Sequence, residues 1–228
     1  MIALLDTEKK YYESMGVPSE RIHVVGIFPL IEPVPDPDVF RVKHQIEGRM
    51  ILFIGRKVAY KGYQTLLECA PRLWMNYPDA TFVFIGPDEA DGTSNDLANE
   101  WLDDPRVRSI GAVTEQEKAE ALAACDVLCL PSRHEILPSV ILEAWHFCKP
   151  VVVGDIPYLR DLVDEGECGY ISKQNAEDLA RGLVKLFDSP NLMKNYGRRG
   201  HEKLEKYYTK DAVVRHMRSV FEQLCPAS

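Results

Sequence analysis

From residue 49 onward the chain alternates short, wholly apolar runs with longer stretches in which apolar side chains recur every three or four positions. MILFIG (50–55), ATFVFIG (80–86), VRSIG (107–111), DVLCLP (126–131), PVVVG (150–154) and GYIS (169–172) predict six strands. Continuous apolarity, rather than alternation, marks a strand that is covered on both faces. Between the first two runs, Tyr63, Leu66, Leu67, Ala70 and Trp74 fall at helical spacing. Thr114 stands where a helix cap belongs, with Glu117 three positions on. Ser139 is the expected cap of the helix after the fourth run, and Asp155 with Pro157 predicts a short helix after the fifth. Three helical patterns follow from Asn175. The first rests on Leu179, Leu183 and Leu186, DSPN interrupts, and the last rests on Val213, Met217, Val220, Phe221 and Leu224. Each strand-to-strand crossover deposits a helix on the sheet, so the expected fold is α/β: a doubly wound parallel sheet with extra C-terminal helices.

The first 48 residues read differently. IALL and RIHVVG predict strands on either side of the helix TEKKYYESMG. FPLIEPVPDPDVF, rich in Pro and acid, reads as a linker, because a residue before proline favours extended backbone. Residues 1–48 are therefore expected as an arm leading into a domain of residues 49–228.

Length and charge narrow the function. A chain of 228 residues can bury a sizeable core. Its net charge of -8 excludes a general nucleic-acid binder, whose affinity comes from clustered Lys and Arg; a single small phosphorylated ligand stays open. The six cysteines form no Cys-x-x-Cys pair, and the histidines are scattered, so no metal site is expected. Cys125 and Cys129, beside or within an apolar run, read as buried reduced thiols. Asp6 interrupts the opening apolar residues at once, and no run approaches the roughly 20 residues that span a bilayer. The expected setting is cytoplasmic, with no transmembrane segment.

Parallel sheets collect ligands at the carboxyl ends of their strands. In GRKVAYKG, after the first run, Gly55 is followed by Arg56, with Lys61 near the next helix; two cations on one such loop suit a diphosphate, or equally a solvated basic loop. The spacing is not that of a Walker loop. In GPDEADG, Gly86 is an ordinary turn or a point of close approach. In GAVTEQE, Gly111, Ala112 and Val113 offer backbone groups to a flat base. PSRHEILPSVILEAW is the richest loop. Pro138 and Ser139 start a helix whose unpaired N–H groups make an anion site. Glu135 precedes that site and Glu143 lies about one turn inside the helix, with seven residues between the two. Both carboxylates could accept hydrogen bonds from sugar or ribose hydroxyls; the plainer alternative is two solvated charges.

ILFIGRKVAYKG, ATFVFIGPD, VRSIGAVTEQEKAEALAACDVLCLPS and PSRHEILPSVILEAWHFCKPVVVGDIPYLRDLVDEGECGYI together resemble the C-terminal domain of retaining GT-B-fold glycosyltransferases of the group 1 type. The resemblance implies a Rossmann-like donor-binding half that moves a sugar from a nucleotide-diphosphate sugar, most commonly of UDP, to an acceptor hydroxyl with retention. It implies no cofactor and no metal. Arg56 and Lys61 would neutralise the leaving diphosphate, and Glu135 would meet donor-sugar hydroxyls at the reacting carbon. Glu143 would hold the ribose. Leu137, Ser139 and Val140 would present backbone N–H groups around Pro138, Gly111 to Val113 would border the base, and Gly55 would be a further substrate-binding residue. Two departures stand out: EILP replaces a Gly-rich EGFG, so Ile136 would narrow the donor pocket, and the loop after VVVG is short.

The same resemblance implies an acceptor-binding N-terminal domain, of which residues 2–25 look like the tail and the crossover into the second domain. IALL would then lack sheet neighbours and pair with another copy or lie disordered. This chain alone is expected to bind nucleotide weakly and not to turn over, and peripheral membrane association would belong to the full-length protein. The alternatives are a non-catalytic nucleotide-sugar-binding or protein-interaction module of the same ancestry, and a related epimerase or phosphorylase.

Overall fold

A computed structural model of the protein describes residues 1–31, 34–88 and 101–225. The six apolar runs are strands β3 (Met50–Ile54), β4 (Thr81–Ile85), β5 (Val107–Ile110), β6 (Val127–Leu130), β7 (Val151–Gly154) and β8 (Tyr170–Ser172). They form one parallel sheet in the order β5-β4-β3-β6-β7-β8. Leu52 stands opposite Val83 on one side and Leu128 on the other. The chain winds outward from β3 to β5, then returns to β6 and winds the other way. The order therefore reverses between β3 and β6, which opens a crevice at their carboxyl ends.

Helices cover both faces, as continuous apolarity requires. They are α3 (Tyr63–Trp74), α4 (Glu115–Ala124), α5 (Ser139–His146), α6 (Pro157–Leu162), α7 (Ala176–Phe187), α8 (Pro190–Tyr207) and α9 (Lys210–Leu224). α3 packs on α7, and α5 on α8. Thr114 caps α4 by accepting from Glu117 N at 3.2 Å, and Asn175 caps α7 by accepting from Asp178 N at 2.9 Å. The core includes the fully buried Trp145, Phe53, Phe82 and Phe84, each a large apolar contribution of about 1.5–3 kcal/mol. Cys69, Cys125, Cys129 and Cys168 are buried and free. Burial pushes the Cys125 thiol up to about 12, so it stays protonated and inert at neutral pH.

Two expectations about the arm need correction. First, IALL has a partner within the chain: β1 (Ile2–Ala3) pairs in parallel with β2 (His23–Val24) across α1 (Asp6–Ser14). Local bonds close this unit and anchor it. Glu8 accepts from Leu4 N at 2.6 Å and from Tyr12 OH at 3.0 Å, while Thr7 N and Oγ1 both reach Asp161 Oδ2 on α6 at 2.8 and 2.9 Å. Second, the Pro-rich stretch is not wholly a linker, because Pro37–Lys43 is helix α2. Asp36 caps it by accepting from Asp38 N at 3.0 Å, and Pro37 sits in the first turn, where a missing N–H costs nothing. Phe40 of α2, Ile46 and Leu5 all join the same core as the sheet. Residues 32 and 33 of that stretch lie outside the described residues.

α2 docks on α4 through Glu117, whose Oε1 lies 2.7 Å from Lys43 Nζ and 3.3 Å from His44 Nε2. The Lys43 hydrogen bond first, and His44 with it, hold the Glu117 carboxyl below the usual carboxylate range despite partial burial. A depressed native pKa contributes stability above the unfolded value of about 4.3 and loses it as the pH falls through the native one. The stability difference between the protein and Glu117→Gln is accordingly expected to be flat above about pH 5.5 and to shrink below about pH 4. Urea melts across that range measure it.

Candidate functional site

The crevice between β3 and β6 is built by two interlocked loops. The first, residues 55–62, ends in a short 3-10 turn, Ala59–Lys61, and then Gly62. Gly62 has φ 76°, in the left-handed region, and a Cβ there would collide with the Pro131 carbonyl of the second loop. Arg133 N donates to Tyr60 O at 2.7 Å, which fixes the second loop, residues 131–138, against the first. Gln174 Nε2 donates to Ser132 O at 3.1 Å from the far side.

This interlock brings Lys61 and Glu135 together. Lys61 Nζ lies 2.6 Å from Glu135 Oε1, and Ser132 Oγ donates to the same oxygen at 2.8 Å. Ser132 is fully buried and Glu135 is 9% exposed, so the pair sits in reduced dielectric. Among the described residues Glu135 Oε2 has no hydrogen-bond partner, and it is not one of the buried unpartnered atoms; one oxygen is anchored and the other faces outward. Arg56 is exposed, hydrogen-bonds Tyr60 OH through Nη2, and carries its guanidinium 5.8 Å from the Tyr60 ring centre. Lys61 Nζ stands 5.8 Å from the same ring. Tyr60 thus has both cations within cation–π reach of its ring.

α5 begins at Ser139, and its cap position is Pro138, at φ -72° and ψ 115°, with no side-chain cap bond. The expectation that Ser139 caps the helix is therefore corrected. The proline ring already fixes the φ a cap residue needs, so the cap lies at Pro138 and the helix starts one residue earlier than a Ser139 cap would place it. With no side-chain cap, the N–H groups of Ser139 and Val140 are left for an anion, whereas Ile141 N already donates to Pro138 O at 3.1 Å. Leu137 and Val140 bury their side chains in the core, so only their backbone faces the crevice. Ile136 is 42% exposed.

Glu143 is built like Glu135 but stands apart from the Lys61 pair. It is 6% exposed, and its Oε1 lies 3.3 Å from Lys118 Nζ on α4. It lines a small crevice with Lys118, Leu30 and Phe147, to which neither Lys61 nor Glu135 contributes. The loop 111–113 is open: nothing lies within 4 Å of a Cβ placed at Gly111, Ala112 is exposed, and Val113 is half-buried. Gly55 N donates to Ile85 O at 2.9 Å, extending the sheet under this loop. The close approach at Gly86, φ 131°, is made by the Gly55 carbonyl rather than by open space for a ligand. Of GPDEADG, residues 89–92 lie outside the described residues.

Four site residues escaped the sequence reasoning: Tyr60, Ser132, Lys118 and Lys57. Lys57 is 4% exposed, with Nζ 2.8 Å from Ser109 Oγ and 3.0 Å from Asp88 Oδ1, so it ties the carboxyl ends of β3, β4 and β5 together. Its position next to Arg56 was the only signal. Among the described residues no group of three or more His, Cys, Asp or Glu is arranged to hold a metal ion, and no helix is long and apolar enough to cross a membrane.

The model of the family "Glycosyl transferases group 1" matches residues 37–203. The chain belongs to the group 1 glycosyl transferases. A phosphatidyl-myo-inositol mannosyltransferase of Mycolicibacterium smegmatis is 29% identical over 167 residues, covering 71% of this chain and 42% of the relative. The lipopolysaccharide core biosynthesis glycosyltransferase LpsE of Rhizobium meliloti is 28% identical over 85% of this chain and 55% of its own length. The chain thus spans about half the length of these curated relatives. Among solved structures, Anabaena HepE in complex with UDP and glucose superposes with a TM-score of 0.80 over 99% of this chain and 62% of that one, at 19% identity. The C-terminal domain of LpcC, a glycosyl transferase group 1 family protein from Francisella tularensis, superposes with a TM-score of 0.67 over 79% of this chain and 97% of that one, at 21% identity. The fold is that of GT-B glycosyltransferases.

Proposed function

We propose that this chain is the donor half of a retaining glycosyltransferase, binding a nucleotide-diphosphate sugar at the β3/β6 crevice for transfer to an acceptor hydroxyl. The observation that carries this reading is the Lys61–Glu135 pair under an uncapped helix start. What supports it is that the Lys61–Glu135 pair and the start of α5, four residues after Glu135, belong to the loops that follow β3 and β6, where the sheet order reverses. Breaking a glycosidic bond to a diphosphate demands stabilisation of the negative charge that develops as it leaves. Arg56, Lys61 and the N–H groups of Ser139 and Val140 would supply it. Glu135 Oε2 would accept from a donor-sugar hydroxyl near the reacting carbon, Glu143 from the ribose, and Gly111, Ala112 and Val113 would flank the base. UDP is the favoured nucleotide, in keeping with the UDP bound to HepE.

In this reading residues 49–228 form the donor domain and residues 1–48 the crossover into it. The length by which relatives exceed this chain would carry the acceptor site, so the chain alone binds nucleotide without turnover. Its buried free thiols suit a reducing, cytoplasmic setting.

Calorimetric titration of the folded chain with UDP is expected to give binding in the micromolar to millimolar range, weakened about tenfold or more by Arg56→Ala, as for loss of a charge-assisted hydrogen bond. No heat at millimolar UDP from a folded sample, or full affinity in Arg56→Ala, would leave the protein a non-catalytic interaction module.

A further inference from the structure

Glu135 and Glu143 share one construction. In each, a buried carboxylate has Oε1 held by a lysine from a neighbouring element, and Oε2 without a hydrogen-bond partner among the described residues. Neither Oε2 belongs to the described residues' buried unpartnered atoms, which are His23 Nε2 and Trp145 Nε1, so each keeps some solvent-accessible surface. For Glu143 the lysine is Lys118, one turn into α4, whose Nζ also lies 2.7 Å from Glu115 Oε2. Glu115 is largely solvated, with 70% of its side chain exposed, whereas Glu143 is 8% exposed at the side chain and Lys118 21%. The ammonium therefore bridges a wet carboxylate and a dry one.

The dry one needs it. Leu30, Ala119, Leu122 and Phe147 wall the crevice beside Glu143, and its free volume of about 10 Å³ takes no more than a water molecule. In so apolar a place a carboxylate without a partner would be poorly solvated and would turn toward water. The two glutamates outweigh the burial of Lys118 and raise its pKa, so the ammonium stays charged through the neutral range. A hydroxyl group cannot enter so small a crevice, so it would have to meet Oε2 from the solvent side, which requires that the carboxylate does not rotate.

We propose that Lys118 is the positioning residue of the nucleoside end: by holding Oε1 of Glu143 it presents Oε2 to the ribose hydroxyls, and so sets the preference for ribonucleotide over deoxyribonucleotide without touching the nucleotide. This inference rests on the assignment of Glu143 to the ribose. A residue that merely joined α4 to α5 would change stability and weaken every nucleotide alike. Lys118 instead changes the ratio between nucleotides that differ by one hydroxyl.

The test is titration of the folded chain with UDP, 2′-deoxy-UDP and 3′-deoxy-UDP. The unaltered protein is expected to favour UDP over at least one deoxy analogue by about tenfold or more, the worth of a hydrogen bond to a charged acceptor. Glu143→Gln cuts that ratio to about two or less. Lys118→Met lowers it at least about threefold, mainly by weakening UDP, and Lys118→Arg restores most of it. Glu115→Gln leaves it unchanged or raises it, because the ammonium then belongs to Glu143 alone. If Lys118→Met does not fold, Lys118→Gln takes its place with the same expectation. A full ratio in Glu143→Gln, or none in the unaltered protein, overturns the ribose assignment and the inference with it. A ratio abolished by Glu143→Gln but intact in the Lys118 variants overturns the role of Lys118 alone.

Discussion

Replacing Glu135 by Ala is expected to lower stability by about 3 kcal/mol, a fall of about 6–12 °C in Tm for a chain of this size, while leaving UDP and inorganic pyrophosphate bound several-fold more tightly. The first effect follows from burial. The Lys61 side chain is 19% exposed and that of Glu135 8%, and removing one partner of such a pair strands the other charge in reduced dielectric. Ser132, fully buried, also loses the oxygen it donates to at 2.8 Å. The second effect follows from competition. An anion entering the crevice must share Lys61 with a carboxylate that already holds it and that repels the newcomer. Thermal melts and calorimetry on the same samples separate the two. Adding Lys61→Met to Glu135→Ala is expected to recover most of the lost stability and to abolish the gain in pyrophosphate affinity. Weaker pyrophosphate binding in Glu135→Ala would mean that Glu135 itself orders the anion site, and the assignment of Lys61 to the diphosphate would fall.

That prediction also bears on the role of the pair in transfer. In the ligand-free protein Lys61 neutralises Glu135; with a diphosphate present it has two claimants. An anion that draws Lys61 away would release Glu135 Oε1, so that both carboxylate oxygens could accept from a sugar hydroxyl. Binding energy would thereby be used to release the carboxylate next to the reacting carbon only when donor is present.

What was legible in the sequence was whatever chain-local chemistry decides. MILFI, TFVFI, VLCL and VVVG admit little but strands buried on both faces, and their order along the chain left one reasonable sheet type. Loop residues at strand ends followed from topology, so Arg56, Lys61 and Glu135 could be named before any geometry existed. α2 was missed because two signals conflicted: X-Pro pairs argued for extended chain, whereas Asp36, Pro37 and Asp38 in succession are a helix start with cap, first-turn proline and acidic first turn. Ser139 was assigned one position too late for the cap for a similar reason, since proline takes that role without a side-chain oxygen. Lys118 and Lys57 were invisible for a different cause. Their partners lie 25 and 52 residues away, at Glu143 and Ser109, and a lysine on a helix or loop looks solvated until the topology brings a dry partner to it.

Long-range packing of the same kind gives the other large effect, on α8. Gly197 and Gly200 lie one turn apart on that helix, and both are buried. A Cβ at Gly197 would overlap the Cys148 carbonyl, and one at Gly200 the ring of the fully buried Trp145. Cys148 has φ 52°, in the left-handed region, and closes the turn that ends α5, so neither neighbour yields easily. Helix propensity alone predicts that Ala at either position stabilises by about 1 kcal/mol. Overpacking of a rigid contact opposes this with about 1–3 kcal/mol or more, and backbone overlap at Gly197 belongs at the upper end. The expected sign is therefore destabilisation, by about 2 kcal/mol for Gly197→Ala and about 1 kcal/mol for Gly200→Ala, read from urea midpoints at constant m-value. The double variant is expected to cost less than the sum, because once one methyl has lifted α8 from α5 the second meets less resistance. Lifting α8 also loosens Trp145, two residues beyond Glu143, so UDP affinity is expected to fall with stability in these variants although neither glycine lies near the crevice. Unchanged affinity beside lowered stability would show that α5 keeps its place without α8, and that the sheet alone positions Glu143.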